Sequence, residues 1–249
     1  MKSLYRRTLA FCLIAILSGS AAKAQNLDPL DYRRTLFAPA GQRMLILEAP
    51  LGMCFNDETK FHERKIINTV NDMVKRTGGG QTVGVFAPCM DIAGYIAGGG
   101  PNEGRMPIIG IVTWLNPSVG DTTPLARADY LDMQETQFAN TLASQFSSDT
   151  LAYDPESFGS RILMLPNTKT LAVTEDTRRT ADGVTVTFEG SDMRESVKWK
   201  TTGIAATTVI KRVPLAVTLM STTQDEPDPA WLEALMDKFL LQQIALNEG

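Results

Sequence analysis

Few residues of this 249-residue chain have types and spacings that could support catalysis or metal binding. The single histidine, His62, is followed by Glu63, as at the start of a zinc-protease motif. That motif places a second histidine four residues further on, one helical turn away, so that both can bind zinc. Ile66 occupies that position here. A histidine-based metal site within one chain is therefore excluded, and the sequence predicts neither a metal nor a cofactor.

Motifs for nucleophilic and phosphate chemistry are also missing. The elbow motif G-x-S-x-G does not occur, and S-x-x-K occurs only as Ser20 to Lys23. A serine triad is recognised by geometry and could still form, but it would have to use His62. Three glycines at 78–80 follow a predicted helix, whereas phosphate-binding loops precede one. The sequence therefore does not predict an enzyme, and an exported hydrolase with an unrecognised site remains the alternative.

The strongest candidate for binding is the glycine-rich segment that precedes an apolar run. Residues 98–105 read GGGPNEGR, so Glu103 and Arg105 place two opposite charges at its end, and Trp114 follows in the run. Glycines let a backbone approach a partner closely, and loops on a rigid scaffold often carry binding residues. We therefore predict Glu103, Arg105 and Trp114 as ligand-binding residues; the alternative is a surface loop with Trp114 in the core.

The N-terminus has the pattern of an export signal. Lys2, Arg6 and Arg7 are followed by an apolar run over 9–17 and by Ala22-Lys23-Ala24, a small-x-small cleavage site. The run is about half of the 20 apolar residues that a transmembrane helix needs. Residues 1–24 are thus predicted to be a signal peptide rather than an uncleaved anchor. The mature protein is expected in the periplasm or outside the cell.

The charge of the mature chain disfavours several classes of partner. The whole chain has 24 basic and 28 acidic residues, and the signal peptide contains four of the basic residues and none of the acidic ones. The mature balance is then 20 against 28, a net charge of −8. Nucleic acid and anionic lipid require clustered lysine and arginine. The sequence predicts neither nucleic-acid binding nor stable membrane insertion, and leaves an unidentified protein or small molecule of the cell envelope as the partner.

The cysteines fit an oxidising compartment. Cys12 is lost with the signal peptide, which leaves Cys54 and Cys89. Two cysteines in an exported chain are more often bridged than free. The alternative, a redox pair, lacks the C-x-x-C spacing that lowers a thiol pKa. We therefore predict a disulfide between Cys54 and Cys89.

Hydrophobic periodicity predicts an α+β fold of the α/β sandwich type, with a mainly antiparallel sheet and about three helices after the signal peptide. Residues 25–249 form a single globular domain in this prediction, with a sub-boundary within 147–158 as an alternative. Five short β-branched runs beyond residue 170 are typical of an antiparallel meander. The predicted strands are 43–49, 82–87, 106–115, 170–175, 183–189, 195–201, 204–211 and 215–221; the predicted helices are 58–76, 125–146 and 228–246.

Together these features predict an exported protein that acts without catalysis, as a binding or accessory protein of the periplasm or envelope. The signal peptide, the disulfide and the missing catalytic motifs are the three observations behind this prediction.

An intact-mass measurement on protein from its exporting host tests the export prediction. We expect the mass of residues 25–249 less two hydrogens, because cleavage follows Ala24 and one disulfide forms. A full-length mass, or two thiols that alkylate without reductant, would contradict it.

Overall fold

The computed structural model describes residues 33–76, 80–96, 108–115, 126–135, 171–194, 197–223 and 228–248. Nine strands and four helices lie within these ranges. The strands are β1 Thr35–Ala40, β2 Arg43–Glu48, β3 Met53–Phe55, β4 Gln81–Pro88, β5 Ile108–Trp114, β6 Leu171–Arg179, β7 Val184–Arg194, β8 Val197–Ile210 and β9 Val213–Thr223. The helices are α1 Phe61–Arg76, α2 Cys89–Ile96, α3 Arg127–Glu135 and α4 Pro229–Glu248.

Seven of the strands form one antiparallel sheet. Their order is β3-β4-β5-β9-β8-β7-β6, and the last four are connected in sequence as a meander. β1 and β2 form a separate antiparallel hairpin, closed by a turn in which Gly41 has a positive φ. The mainly antiparallel α+β fold predicted from the sequence is therefore confirmed.

Both faces of the seven-stranded sheet are buried. One face packs against α1, α2 and α3 through an apolar cluster that includes Ile66, Ile92 and Leu131. The other face packs against the β1–β2 hairpin and α4, and its cluster includes Leu45 and Phe239. Alternation along the strands explains this division, because successive side chains of a strand point to opposite faces.

Two side-chain amides of α4 cover the free edge of β2. The Asn247 amide accepts a hydrogen bond from the Ile46 N–H at 2.9 Å and donates one to the Ile46 carbonyl at 2.7 Å. Gln243 makes the same pair of bonds with Glu48, at 2.8 and 3.0 Å. Residues four apart on a helix share a face, so these amides match alternate residues of the strand. The exposed backbone of an edge strand is thereby paired without another strand.

Two phenylalanines each lie over a glycine of the neighbouring strand. Phe86 is paired with Gly110 across β4 and β5, and Phe188 with Gly203 across β7 and β8. A Cβ added at either glycine would lie 2.1 Å from the ring of its partner. The two rings belong to the clusters on opposite faces of the sheet. Each glycine therefore makes room for one large core side chain.

Gly203 also corrects the sequence prediction. The runs 195–201 and 204–211 were expected to be two strands separated by a turn at this glycine, but β8 continues through it as one strand. The Phe188 ring occupies the space that a side chain at 203 would fill. The glycine is therefore required by packing rather than by a turn.

Other predictions differ from the structure in smaller ways. β1, β3 and the eight-residue helix α2 were not predicted. β3 and α2 are too short to show clear periodicity, and Pro39 interrupts the run that forms β1. The sequence spacing of Trp231, Leu235 and Phe239 indicates one apolar face of α4, but Trp231 is 44% exposed and the adjacent Leu232 is buried. Asp228 caps this helix by accepting a hydrogen bond from the Ala230 amide at 3.0 Å.

Several sequence predictions fall outside the described residues. These are the signal peptide at 1–24, the glycine stop after α1, the helix beyond Glu135 and the sub-boundary at 147–158. Among the residues that the structure describes, no helix combines the length and apolar character needed to cross a membrane.

Replacing Gly203 with alanine is expected to lower the free energy of unfolding by about 1–3 kcal/mol, the usual cost of overpacking a core. Chemical denaturation measures this loss. Because the clash is with one ring, the double variant Gly203→Ala/Phe188→Leu should lose less than the sum of the two single variants. Additive losses would contradict the proposed contact.

Candidate functional site

The disulfide predicted from the sequence is present. Cys54 and Cys89 are bonded, with their Cα atoms 5.0 Å apart. Cys54 lies in the middle of β3, opposite Ala87 of β4, and Cys89 begins α2. A disulfide commonly joins Cα atoms at this separation.

The position of the bond in the fold differs from the one that parallel strands would give. Cys54 and Cys89 follow the predicted strands 43–49 and 82–87, which flank the predicted helix 58–76, and if those strands were parallel neighbours both cysteines would lie at one sheet edge. In the structure β2 belongs to the separate hairpin, and β4 pairs instead with the antiparallel strand β3 that carries Cys54. β3 has only three residues, so no period-2 pattern revealed it.

An exposed apolar surface adjoins the disulfide; we call it the disulfide-end surface and define it as Leu51, Gly52, Cys89 and Met90. The Cys89 amide donates a hydrogen bond to the Gly52 carbonyl at 3.0 Å, which holds the turn before β3 against the start of α2. Leu51 and Met90 flank this bond in sequence and are 80% and 66% exposed. Two large apolar side chains beside a covalent crosslink give a rigid surface on which a partner could bury apolar area.

The predicted ligand-binding residues do not all fall in the described part of the chain. Glu103 and Arg105 lie outside it. Trp114 is the last residue of β5. It is only 7% exposed and belongs to the core cluster that includes the hairpin. β5 spans about 20 Å from Ile108, where the 97–107 segment ends, to Trp114. Binding by Glu103, Arg105 and Trp114 stays a prediction.

The start of β5 nevertheless lies near the disulfide. β4 and β5 are antiparallel with Phe86 opposite Gly110, so the end of β4 at Pro88 borders the beginning of β5. The 97–107 segment connects α2, which begins at Cys89, with that same end of β5. The beginning of β5 and the disulfide-end surface therefore lie at one end of the sheet.

The polar residues at the start of α1 form the second notable feature, which we call the α1 junction and define as Asn56, Asp57, Lys60 and Glu63. Asp57 Oδ1 accepts hydrogen bonds from the Thr59 amide and hydroxyl at 2.9 and 2.7 Å. Glu63 is fully buried, and its Oε2 accepts a bond from the Asp57 amide at 2.6 Å. The helix starts at Phe61 rather than 58 because residues 57–60 form a turn closed by these contacts.

The two carboxyl groups of the α1 junction have pKa values shifted in opposite directions. Burial raises the pKa of Glu63, and it outweighs the Asp57 hydrogen bond and the nearby Lys60 charge, which lower it. For Asp57, burial is the largest single effect and raises the pKa, but the two Thr59 hydrogen bonds with Arg33 and Lys60 together lower it.

The structure shows the surroundings of the one histidine and of several acids. His62 is exposed on α1, where it contacts the edge of the Phe61 ring, and no hydrogen bond joins it to a described residue. Two other acids close to strand ends have separate roles: Glu48 pairs with Arg34 at 3.1 Å, and Asp91 is buried in the first turn of α2. Within the described ranges, no three histidine, cysteine or acidic residues cluster closely enough to hold a metal ion.

Sequence reasoning missed both Leu51 and Met90. Each sits beside a turn or a helix start, where an isolated apolar residue gives no periodic signal. Their exposure depends on the pairing of β3 with β4, which the sequence does not show. A fully buried Glu63 was equally unexpected, because it follows an exposed histidine on a charged helix turn.

The fold and the site define an α+β protein crosslinked by one disulfide, with an exposed apolar surface beside that crosslink. Comparison of the chain with protein family models, curated proteins and solved structures gives no match. Its function must therefore be inferred from its own residues.

Removing the disulfide is expected to lower the free energy of unfolding by about 3–4 kcal/mol. The bond joins residues 35 positions apart and so restricts the unfolded chain. Urea denaturation of the Cys54→Ala/Cys89→Ala variant measures this loss, with reduced wild-type protein as a second comparison. An unchanged midpoint in both would contradict a stabilising role.

Proposed function

We propose that this chain is an exported, non-enzymatic protein that binds a partner in the periplasm or envelope, or outside the cell, through the disulfide-end surface. The observation that carries the proposal is the exposure of Leu51 and Met90 beside a covalent crosslink. Single exposed apolar residues are common on protein surfaces. Here the disulfide and the Cys89–Gly52 hydrogen bond restrain the backbone that carries the pair, so less backbone freedom is lost on binding.

The compartment supports the same reading. Disulfides persist in the periplasm and outside cells, where thiols are not kept reduced. The N-terminal signal pattern and the acidic mature charge agree with export as a soluble protein. An apolar contact surface on an acidic protein favours a protein or small-molecule partner over nucleic acid.

A pull-down from envelope extract, with the mature protein as bait, tests the proposal. We expect wild-type protein to retain a partner that Leu51→Glu and Met90→Glu fail to retain, because a buried unpaired carboxylate opposes apolar contact. Met133→Glu is the matched control, since Met133 is also an exposed methionine, 46% accessible on α3.

Circular dichroism melts establish that the three variants fold alike before the comparison is made. The proposal fails if wild-type protein retains nothing under mild conditions. It also fails if the Leu51 and Met90 variants bind as well as the Met133 variant.

A further inference from the structure

Glu63 links α1 to the chain that leaves β3. Its Oε2 accepts the Asp57 amide hydrogen bond at 2.6 Å, and Asp57 follows the end of β3 by two residues. Asn56 lies between the end of β3 and Asp57. Its backbone N–H donates a hydrogen bond to the Val85 carbonyl at 2.8 Å, which continues the contact with β4. One side chain of α1 therefore holds the strand exit in place.

Two buried acceptor atoms of the α1 junction lack a hydrogen-bond donor. Glu63 Oε1 and Asn56 Oδ1 are both buried, and neither has a hydrogen-bond donor. Lys60 Nζ lies 3.5 Å from Oε1, but the lysine side chain is 40% exposed, so water screens much of this ion pair. A buried carboxylate with one hydrogen bond and one partly screened cation is incompletely compensated.

A proton on Glu63 changes this balance. It removes the buried negative charge and turns one carboxyl oxygen from an acceptor into a donor. The bond from the Asp57 amide to the other oxygen can remain, because a neutral carboxyl group still accepts. The Asp57 amide and Lys60 favour the ionised form, but the carboxyl group is completely buried and its Oε1 accepts no hydrogen bond. Burial has the larger effect, so the neutral form suits the α1 junction better.

We propose that Glu63 is a proton-operated latch: the neutral carboxyl group closes the α1 junction, and its ionisation loosens the start of α1 from the end of β3. The latch is independent of the proposed binding function. It would make the packing of α1 against the end of β3 respond to pH.

The charged groups around Glu63 act on its ionisation in opposite directions. Lys60 in the turn before α1 and Arg33, which lies 3.5 Å from Asp57 Oδ2, are cationic, and the ionised Asp57 opposes a second charge on Glu63. Asp91 is the buried carboxyl group at the start of α2, the helix that contacts α1. Burial has the largest effect, so the pKa of Glu63 is raised above its ordinary 4.5.

The sign of the effect on stability follows from this direction. A carboxyl group with a raised pKa in the folded state binds its proton more tightly when folded than when unfolded. Its contribution to stability is complete below pH 4.5 and is lost as the pH rises through the folded-state value. Asp57 acts in the opposite sense, since its pKa is lowered, and stabilises the fold above the ordinary value of 3.8.

A ¹³C NMR titration of the carboxyl groups in the wild-type protein tests the latch directly. The Glu63 resonance, assigned by its loss in Glu63→Gln, is expected to titrate with a midpoint above 4.5. Exchange of the Asp57 amide, corrected for its intrinsic pH dependence, should accelerate above that midpoint. A Glu63 midpoint at or below 4.5, or an Asp57 amide whose protection does not change, would overturn the proposal.

Substitutions provide the second test. Glu63→Gln keeps the shape and stays neutral, so its urea midpoint relative to wild type should rise as the pH increases above 4.5. Glu58→Gln is the matched control, because Glu58 is exposed in the turn that precedes α1, and it should not reproduce this rise. Asp91→Asn should likewise leave the Glu63 titration in place. A constant difference for Glu63→Gln, or a titration that vanishes in Asp91→Asn, would assign the response elsewhere.

Discussion

The burial of both sheet faces is the constraint on which the rest of the structure depends. β5, β8 and β9 carry apolar side chains on alternating sides, so one covering layer would leave half of these side chains in water. Helices α1, α2 and α3 cover one face, while the hairpin and α4 cover the other. The hairpin leaves one edge of β2 without a neighbouring strand. The side-chain amides of Gln243 and Asn247 on α4 form hydrogen bonds with the backbone of that edge.

Sequence reasoning was most accurate for apolar runs bounded by clear turn residues. β2, β4, β5, β9 and α4 were predicted close to their observed bounds, whereas β7 continues to Arg194, well beyond its predicted end at 189. Gly203 shows where local reasoning fails, since a glycine within a strand looks the same in sequence whether it ends the strand or makes room for a ring. Only the position of Phe188 on the neighbouring strand distinguishes the two, and that contact is set by register.

The candidate site was predictable only in its covalent part. Compartment reasoning identified the Cys54–Cys89 bond without a correct topology, because an oxidising environment favours pairing whichever strands carry the thiols. The exposure of Leu51 and Met90 and the burial of Glu63 reverse the usual preference of their residue types. Such reversals arise from tertiary packing around β3, a strand of three residues, and no spacing in the sequence encodes them.

The disulfide and the Glu63 hydrogen bond both hold the region around β3, and different chemical changes break them. The disulfide joins β3 to α2 covalently and is indifferent to protons, whereas Glu63 joins α1 to the same strand exit through a carboxyl group whose charge state depends on pH. A change of pH would therefore act on α1 while β3 and α2 stay connected. Because Leu51 precedes β3 and Met90 follows Cys89, the disulfide-end surface lies on the covalently fixed side of this boundary, so loosening of α1 would leave it in place.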